Sequence, residues 1–194
     1  MFFSIASSGS PGPNNMLLAT TGANNGFVRA LPHVFGTGVG ICLILTGLAV
    51  FGSRLLENET FRSVLKWGGV AYLAWLAFKI ATSRPKVSLE GDAERARPLT
   101  FLQAVLFQAL NPKVWLGGAS GILTYGTAPD ARTALTMGIA FAVVFALVSM
   151  PCGAAWAQIG ASARYLLRSD HALRLFNVTM ALLLLVSLVP VVLG

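Results

Sequence analysis

The chain has 194 residues, of which 55% are apolar and only 11% charged, against roughly 25% charged in an ordinary soluble domain. With a mean hydropathy of +0.71, most of it must face lipid or other helices, which excludes a soluble globular domain and predicts an integral membrane protein. The net charge of +7 does not point to nucleic acid. The basic residues flank apolar runs and form no dense tract, the distribution expected of Lys and Arg in cytoplasmic loops.

The first apolar segment, from about Phe2 to Asn25, carries no charge and is long enough to cross a bilayer core of ~30 Å. It is broken at Ser10-Pro11-Gly12-Pro13-Asn14-Asn15, where proline removes a backbone donor and glycine admits unusual conformations. No basic n-region precedes it, so the N-terminus is expected in the mature protein rather than in a cleaved signal peptide. Asn24-Asn25-Gly26 with Arg29 makes a polar turn. A second segment, Ala30 to Ser53, is dotted with Gly36, Gly38, Gly40 and Gly47, residues that let membrane helices approach closely. After a polar connection over 54–63, a third segment from about Val64 to Thr82 has Lys66 and Lys79 near its ends. Trp67, Tyr72 and Trp75 are its aromatic anchors.

Residues 84–98 hold 7 of the chain's 21 charges and read as a polar linker between two halves, 1–83 and 99–194. The second half repeats the plan. A fourth segment, Phe101 to about Leu123, is interrupted at Asn111-Pro112-Lys113. A fifth, about Thr133 to Ile159, has a kink signal at Pro151 and Gly153. A basic loop with Arg164, Arg168 and Arg174 precedes the sixth, Leu175 to Leu193. The expected fold is therefore all-α and integral to the membrane: six transmembrane helices forming two inverted three-helix repeats, with the first and fourth helices broken. Three spans per half invert the second half relative to the first. Nine Lys and Arg fall in the connections on the linker's side and four on the other, so the linker is expected to be cytoplasmic and both termini outside.

Every carboxylate (Glu57, Glu59, Glu90, Asp92, Glu94, Asp130 and Asp170) lies in a connection. Neither a catalytic constellation nor metal-ligand spacing appears, so no enzyme, metal site or cofactor is expected. Cys42 and Cys152, inside apolar segments, read as small packing residues. Polar side chains at membrane depth are costly and face a bundle interior or a wet cavity. Asn14, Asn15 and Asn111 beside the breaks are expected to line such a cavity. Gln108, three residues before Asn111, shares its helix face if the helix persists that far. Gln103, Gln158 and Asn177 are read as either cavity groups or interhelical hydrogen bonds. Lys113 either snorkels from the second break or meets a substrate carboxylate. The half-helix after Pro13 offers backbone donors to an anion, and the amides and freed carbonyls offer acceptors to an ammonium. A zwitterion such as an amino acid suits both.

Pro11-Gly12-Pro13-Asn14-Asn15, Gly22-Ala23-Asn24-Asn25-Gly26, the run Lys66 to Leu76, and Leu110-Asn111-Pro112-Lys113-Val114-Trp115 occur in this order along the whole chain. Together they resemble the LysE/RhtB family of amino-acid exporters. The resemblance implies efflux of amino acids or close derivatives across a bacterial inner membrane, driven by the proton gradient. Substrate-binding residues expected on this reading are Pro11, Gly12, Pro13, Asn14, Asn15, Gln108, Asn111, Pro112 and Lys113. Two departures stand out. Family members usually carry a longer apolar lead, whereas 10 residues precede Pro11 here. No carboxylate lies at membrane depth to carry a proton. His33 reads as an interfacial residue, the alternative being proton coupling. The expected partners are a small-molecule substrate (an amino acid), the lipid bilayer and, as an option, a second copy in a homodimer; no nucleic acid is expected. The competing readings are a non-transporting membrane scaffold or accessory subunit, and an exporter of another small solute or cation.

Overall fold

A computed structural model describes residues 2–83, 97–126, 128–166 and 169–193. The described residues are helical without strands: α1 (Phe2–Gly9), α2 (Pro13–Asn25), α3 (Phe27–Glu57), α4 (Glu59–Thr82), α5 (Phe101–Ala109), α6 (Pro112–Tyr125), α7 (Ala131–Leu166), α8 (Asp170–Val186) and α9 (Val189–Leu193). The expected linker over 84–98 falls outside the described residues except for Arg97 and Pro98, as does Arg168 of the basic loop.

Both expected breaks are present, α1 giving way to α2 and α5 to α6. Proline sits at the first position of each second half-helix, where its missing N–H costs nothing and its fixed φ suits the helix. Four other helical stretches are long and apolar enough to cross a membrane: Phe27–Gly52, Glu59–Thr82, Ala131–Ala163 and Asp170–Leu193. Leu43, Phe51, Leu116, Leu123, Leu147 and Leu182 are among many exposed large apolar side chains. Apolar exposure on that scale marks a lipid-facing surface in a chain of this composition.

Four connections are tighter than their polarity implies. The polar stretch 54–63 is helical except at Asn58, whose side chain accepts from Phe61 N–H at 2.8 Å and starts α4. Glu59 in the first turn complements the helix dipole, so α4 begins five residues before the expected Val64. Asp130 caps α7 in the same way, accepting from Thr133 N–H at 2.9 Å. The basic loop shrinks because α7 runs on to Leu166 and Ser169 caps α8 by accepting from Ala172 N–H. Between α2 and α3 the turn is Gly26 alone, with φ 87° and ψ 163°, a conformation open essentially only to glycine.

α3 and α7 pack on each other at the centre. α1 and α2 lie against α7, α5 and α6 lie against α3, and α4 pairs with α8. One core cluster joins α2, α4, α5 and α8 through Leu17, Leu73, Phe107 and Leu184; another joins α3, α6 and α7 through Leu45, Val114 and Phe145. At the α3–α5 crossing a Cβ on Gly40 would lie 2.8 Å from both Val105 O and Gln108 Cγ. Only glycine lets α5 come this close, and the approach sets the height and reach of Gln108. At the membrane edges, Lys79 lies 4.6 Å from the Trp75 ring centroid and Lys66 5.6 Å from that of Trp67. Both are cation–π contacts of the snorkelling kind.

Candidate functional site

Ending a helix in mid-membrane strands its last carbonyls, and the protein supplies a donor for each in turn. At the end of α1, Ser10 Oγ donates to Ser7 O at 3.0 Å, and Asn15 Nδ2 to Ser8 O at 2.7 Å and Ser10 O at 2.9 Å. The indole Nε1 of Trp156 donates to Gly9 O at 3.0 Å. Lys113 then crosses from the second break. Its Nζ donates to Ser10 O at 2.9 Å, Ser10 Oγ at 2.8 Å and, more loosely, Pro11 O at 3.3 Å. A cation thus sits at the negative end of the half-helix dipole. The lysine stem passes over Gly12, where a Cβ would lie 2.9 Å from Cδ and Nζ.

The second break is built on the same plan. Trp115 Nε1 donates to Ala109 O at 2.9 Å. Asn111 caps α6 by accepting from Lys113 N–H at 3.2 Å. No side chain caps the start of α2, whose N-cap is Gly12.

A hydrogen-bonded chain joins the two breaks. Asn111 Nδ2 donates to Gln108 Oε1 at 3.2 Å, and Gln108 Nε2 donates to Asn14 Oδ1 at 3.0 Å. Asn14 Oδ1 also accepts from Thr37 Oγ1 at 3.0 Å and from His33 Nε2 at 3.2 Å. An amide oxygen only accepts, so this bond requires the Nε2–H tautomer of His33. Three donors therefore converge on one oxygen with two lone pairs. Gln108, Asn111, Thr37 and His33 are all essentially buried, where a satisfied polar network specifies one arrangement of its helices.

Beside this chain lies a cavity of about 40 Å³ lined by Ser7 and Ser8 of α1, Gly12, Asn14, Asn15, Thr37, Ile41, Gln108, Asn111, Lys113, Val114, Phe145 and Ser149. It has room for a few waters, and an amino acid would need it to widen. Ser8 Oγ is buried there without a partner.

Of the nine sequence-predicted residues, Gly12, Asn14, Asn15, Gln108, Asn111 and Lys113 line the cavity. Pro11 supplies only a carbonyl, and Pro13 and Pro112 start their half-helices. The amide side chains are engaged with protein groups, and so is Lys113, which reaches neither lipid headgroups nor a carboxylate but the end of α1. Asn177 forms the interhelical bond envisaged for it, donating to Asn24 Oδ1 at 3.2 Å and Ser83 Oγ at 3.0 Å. Gln103 and Gln158 do neither job: Gln103 closes a capping box with Thr100, and Gln158 bonds Ser162 on its own helix. His33 departs most from expectation. It is fully buried rather than interfacial, because α3 starts at Phe27 and α2 covers it. Ser10 stands in the first break motif without having been read as a site residue, and Thr37 and Trp156 carry no motif that singles them out. Among the described residues no group of His, Cys, Asp or Glu is placed to hold a metal.

The family model described as LysE type translocator matches residues 5–191. Similar curated proteins include the cysteine/O-acetylserine efflux protein of Escherichia coli (strain K12) and that of Shigella sonnei. Each is 28% identical over 183 residues, covering 94% of this chain and 90% of the relative. No solved structure matches the chain at a significant level.

Proposed function

The chain belongs to the LysE type translocator family, which makes it a multi-pass membrane transporter and not an enzyme, and we propose that it exports small amino acids or their close derivatives from the bacterial cytoplasm at the expense of the proton gradient. The carrying observation is the Asn111–Gln108–Asn14 chain, which ties two broken helices together beside a polar cavity. The names of its relatives, efflux proteins for cysteine and O-acetylserine, favour small, polar amino acids. A purely structural scaffold needs no cavity at that interface and would fill it with apolar side chains.

On this reading the six spans are two inverted three-helix repeats, with the two broken pairs as first and fourth spans. The packing supports it, since exchanging the halves exchanges α1 and α2 on α7 with α5 and α6 on α3. The linker is cytoplasmic and both termini lie outside. Substrate binds between the breaks, where the start of α2 and Lys113 take its carboxylate and Asn14, Asn15, Gln108 and Asn111 its ammonium. Lys113 leaves the end of α1 to do so, and the cavity widens as it goes. A homodimer is compatible with this arrangement.

The test is export from cells loaded with dipeptides. Cells with the protein should accumulate the cognate amino acid outside faster than cells without it. Lys113→Ala and Asn14→Ala should abolish the difference while both variants remain in the membrane. Undiminished export by both variants would overturn the site assignment, and equal export with and without the protein would overturn the function.

A further inference from the structure

We propose that His33 is the site that carries the coupled proton, and that protonation of its Nδ1 excludes the substrate ammonium from Asn14. The inference rests on the transport reading above and supplies the coupling group that reading lacks.

His33 is wholly buried, and its Nδ1 has no hydrogen-bond partner. Its Nε2–H is committed to Asn14 Oδ1, so Nδ1 presents a bare lone pair, a basic atom left open beside the hydrogen-bonded chain that joins the breaks. The imidazole does not line the cavity. It stands behind Asn14 and Thr37, which do, and packs edge-on against Phe107 with ring centroids 6.4 Å apart. A proton there is separated from the substrate by a single shared acceptor.

The surroundings hold no competing acid. Of the elements packed on α3, α2 and α5 carry no titratable side chain. α6 carries Lys113 and Tyr125, α7 carries Arg132, Cys152, Arg164 and Tyr165, and α3 itself carries Arg29 four residues before His33 and Cys42, Arg54 and Glu57 beyond it. On α4 are Glu59, Arg62, Lys66, Tyr72 and Lys79. Among the described residues none of these hydrogen-bonds to the imidazole, and Glu59 sits at the first residue of α4, outside the apolar core.

Exchange follows from counting charge and acceptors. With His33 neutral, Asn14 Oδ1 can turn from its protein donors to an incoming ammonium. With Nδ1 protonated, the ring is a cation still bound to that oxygen, and a second cation on the same atom is repelled in a medium of low dielectric. Proton and substrate therefore occupy the site in alternation. The proton adds to Nδ1 from the outside water when substrate has left, and departs to the cytoplasm as the next substrate arrives. That order is what export driven by proton entry requires.

The experiment uses purified protein in proteoliposomes, with labelled cysteine as the probe, and compares wild type with His33→Gln. Glutamine keeps an N–H for Asn14 but takes up no proton. In wild type, a pH gradient should drive uphill flux, and the apparent affinity for cysteine should weaken on acidification, by at most about tenfold per pH unit for one competing proton. In H33Q the gradient effect and the pH dependence of affinity should both vanish while cysteine exchange remains measurable. An H33Q protein that responds to the gradient as wild type does overturns the proposal. Absence of any cysteine, O-acetylserine or other amino-acid exchange by wild type would instead overturn the transport reading. Should H33Q fail to fold, ¹⁵N NMR of the His171→Gln variant reads the single remaining imidazole directly. An Nδ1 that gains a proton on acidification and loses it on substrate addition supports the proposal. A ring that stays neutral from about pH 8 to about pH 5 with and without substrate overturns it.

Discussion

At the residue scale the molecule turns on one amide oxygen. Asn14 Oδ1 receives donors from α3 twice and from α5 once, so its removal orphans His33 Nε2 and Thr37 Oγ1 and leaves Gln108 Nε2 with only its longer bonds to Ala104 O and Thr37 Oγ1. Each orphan costs about 1–3 kcal/mol, and the costs are shared among partners rather than independent. Asn14→Ala and Gln108→Ala should accordingly be non-additive. We expect the double variant to be more stable than the sum of the single losses implies, by about 1 kcal/mol or more, as read from thermal unfolding in detergent. Simple additivity would show that the Asn14–Gln108 bond does not couple the breaks. The amides were legible in the sequence because they sit beside Pro-Gly-Pro and Asn-Pro, where local chemistry announces a break. His33 and Thr37 were not. They lie 19 and 23 residues from Asn14 and meet it only through the rotation of α3 against α2, which no local signal encodes. Its place near the start of the second apolar segment made His33 resemble a residue at a membrane edge, although α3 begins at Phe27 and the imidazole is wholly buried.

At the element scale, the breaks and the small-residue surfaces were legible for the same reason: Pro and Gly act on the backbone where they stand. The helix starts at Asn58 and Asp130 were readable in principle as caps, but the charges around them suggested open connections instead. Which helix each glycine faces is a tertiary fact. Gly40 is the informative case, since its missing side chain admits α5 and thereby Gln108. Gly40→Val should hold α5 away from α3, with the cost of about 1–3 kcal/mol typical of overpacking a tight contact. Export should be lost in parallel because Gln108 no longer reaches Asn14. Gly47→Val, where nothing lies within 4 Å of an added Cβ, is the control and should be tolerated. Equal loss in both variants would dissociate the crossing from the site.

At the scale of the whole molecule, orientation rests on charge. Nine Lys and Arg flank the spans on the linker's side against four on the other. A cysteine introduced at Ser88 should be reached by a membrane-impermeant maleimide only in inside-out vesicles, and one at Ala128 only in intact spheroplasts, each in a background lacking Cys42 and Cys152. The reverse pattern would invert the topology and with it the direction assigned to the proton. Packing adds a constraint that charge counting does not supply. Because α3 and α7 are in contact with each other and each carries one broken pair, relative movement of the halves is transmitted to both breaks together.

The two indoles at the ends of α1 and α5 make the molecule its own optical gauge. Trp156 and Trp115 are hydrogen-bonded to Gly9 O and Ala109 O, while the other two tryptophans, Trp67 and Trp75, are half exposed on the outer surface of α4. Replacing those two with Phe leaves emission that comes from the break points alone. If occupancy by substrate loosens the half-helix ends, the spectrum of W67F/W75F should shift when cysteine is added and recover when it is removed. An unchanged spectrum at saturating cysteine would mean that the ends of α1 and α5 stay clamped while the carrier works.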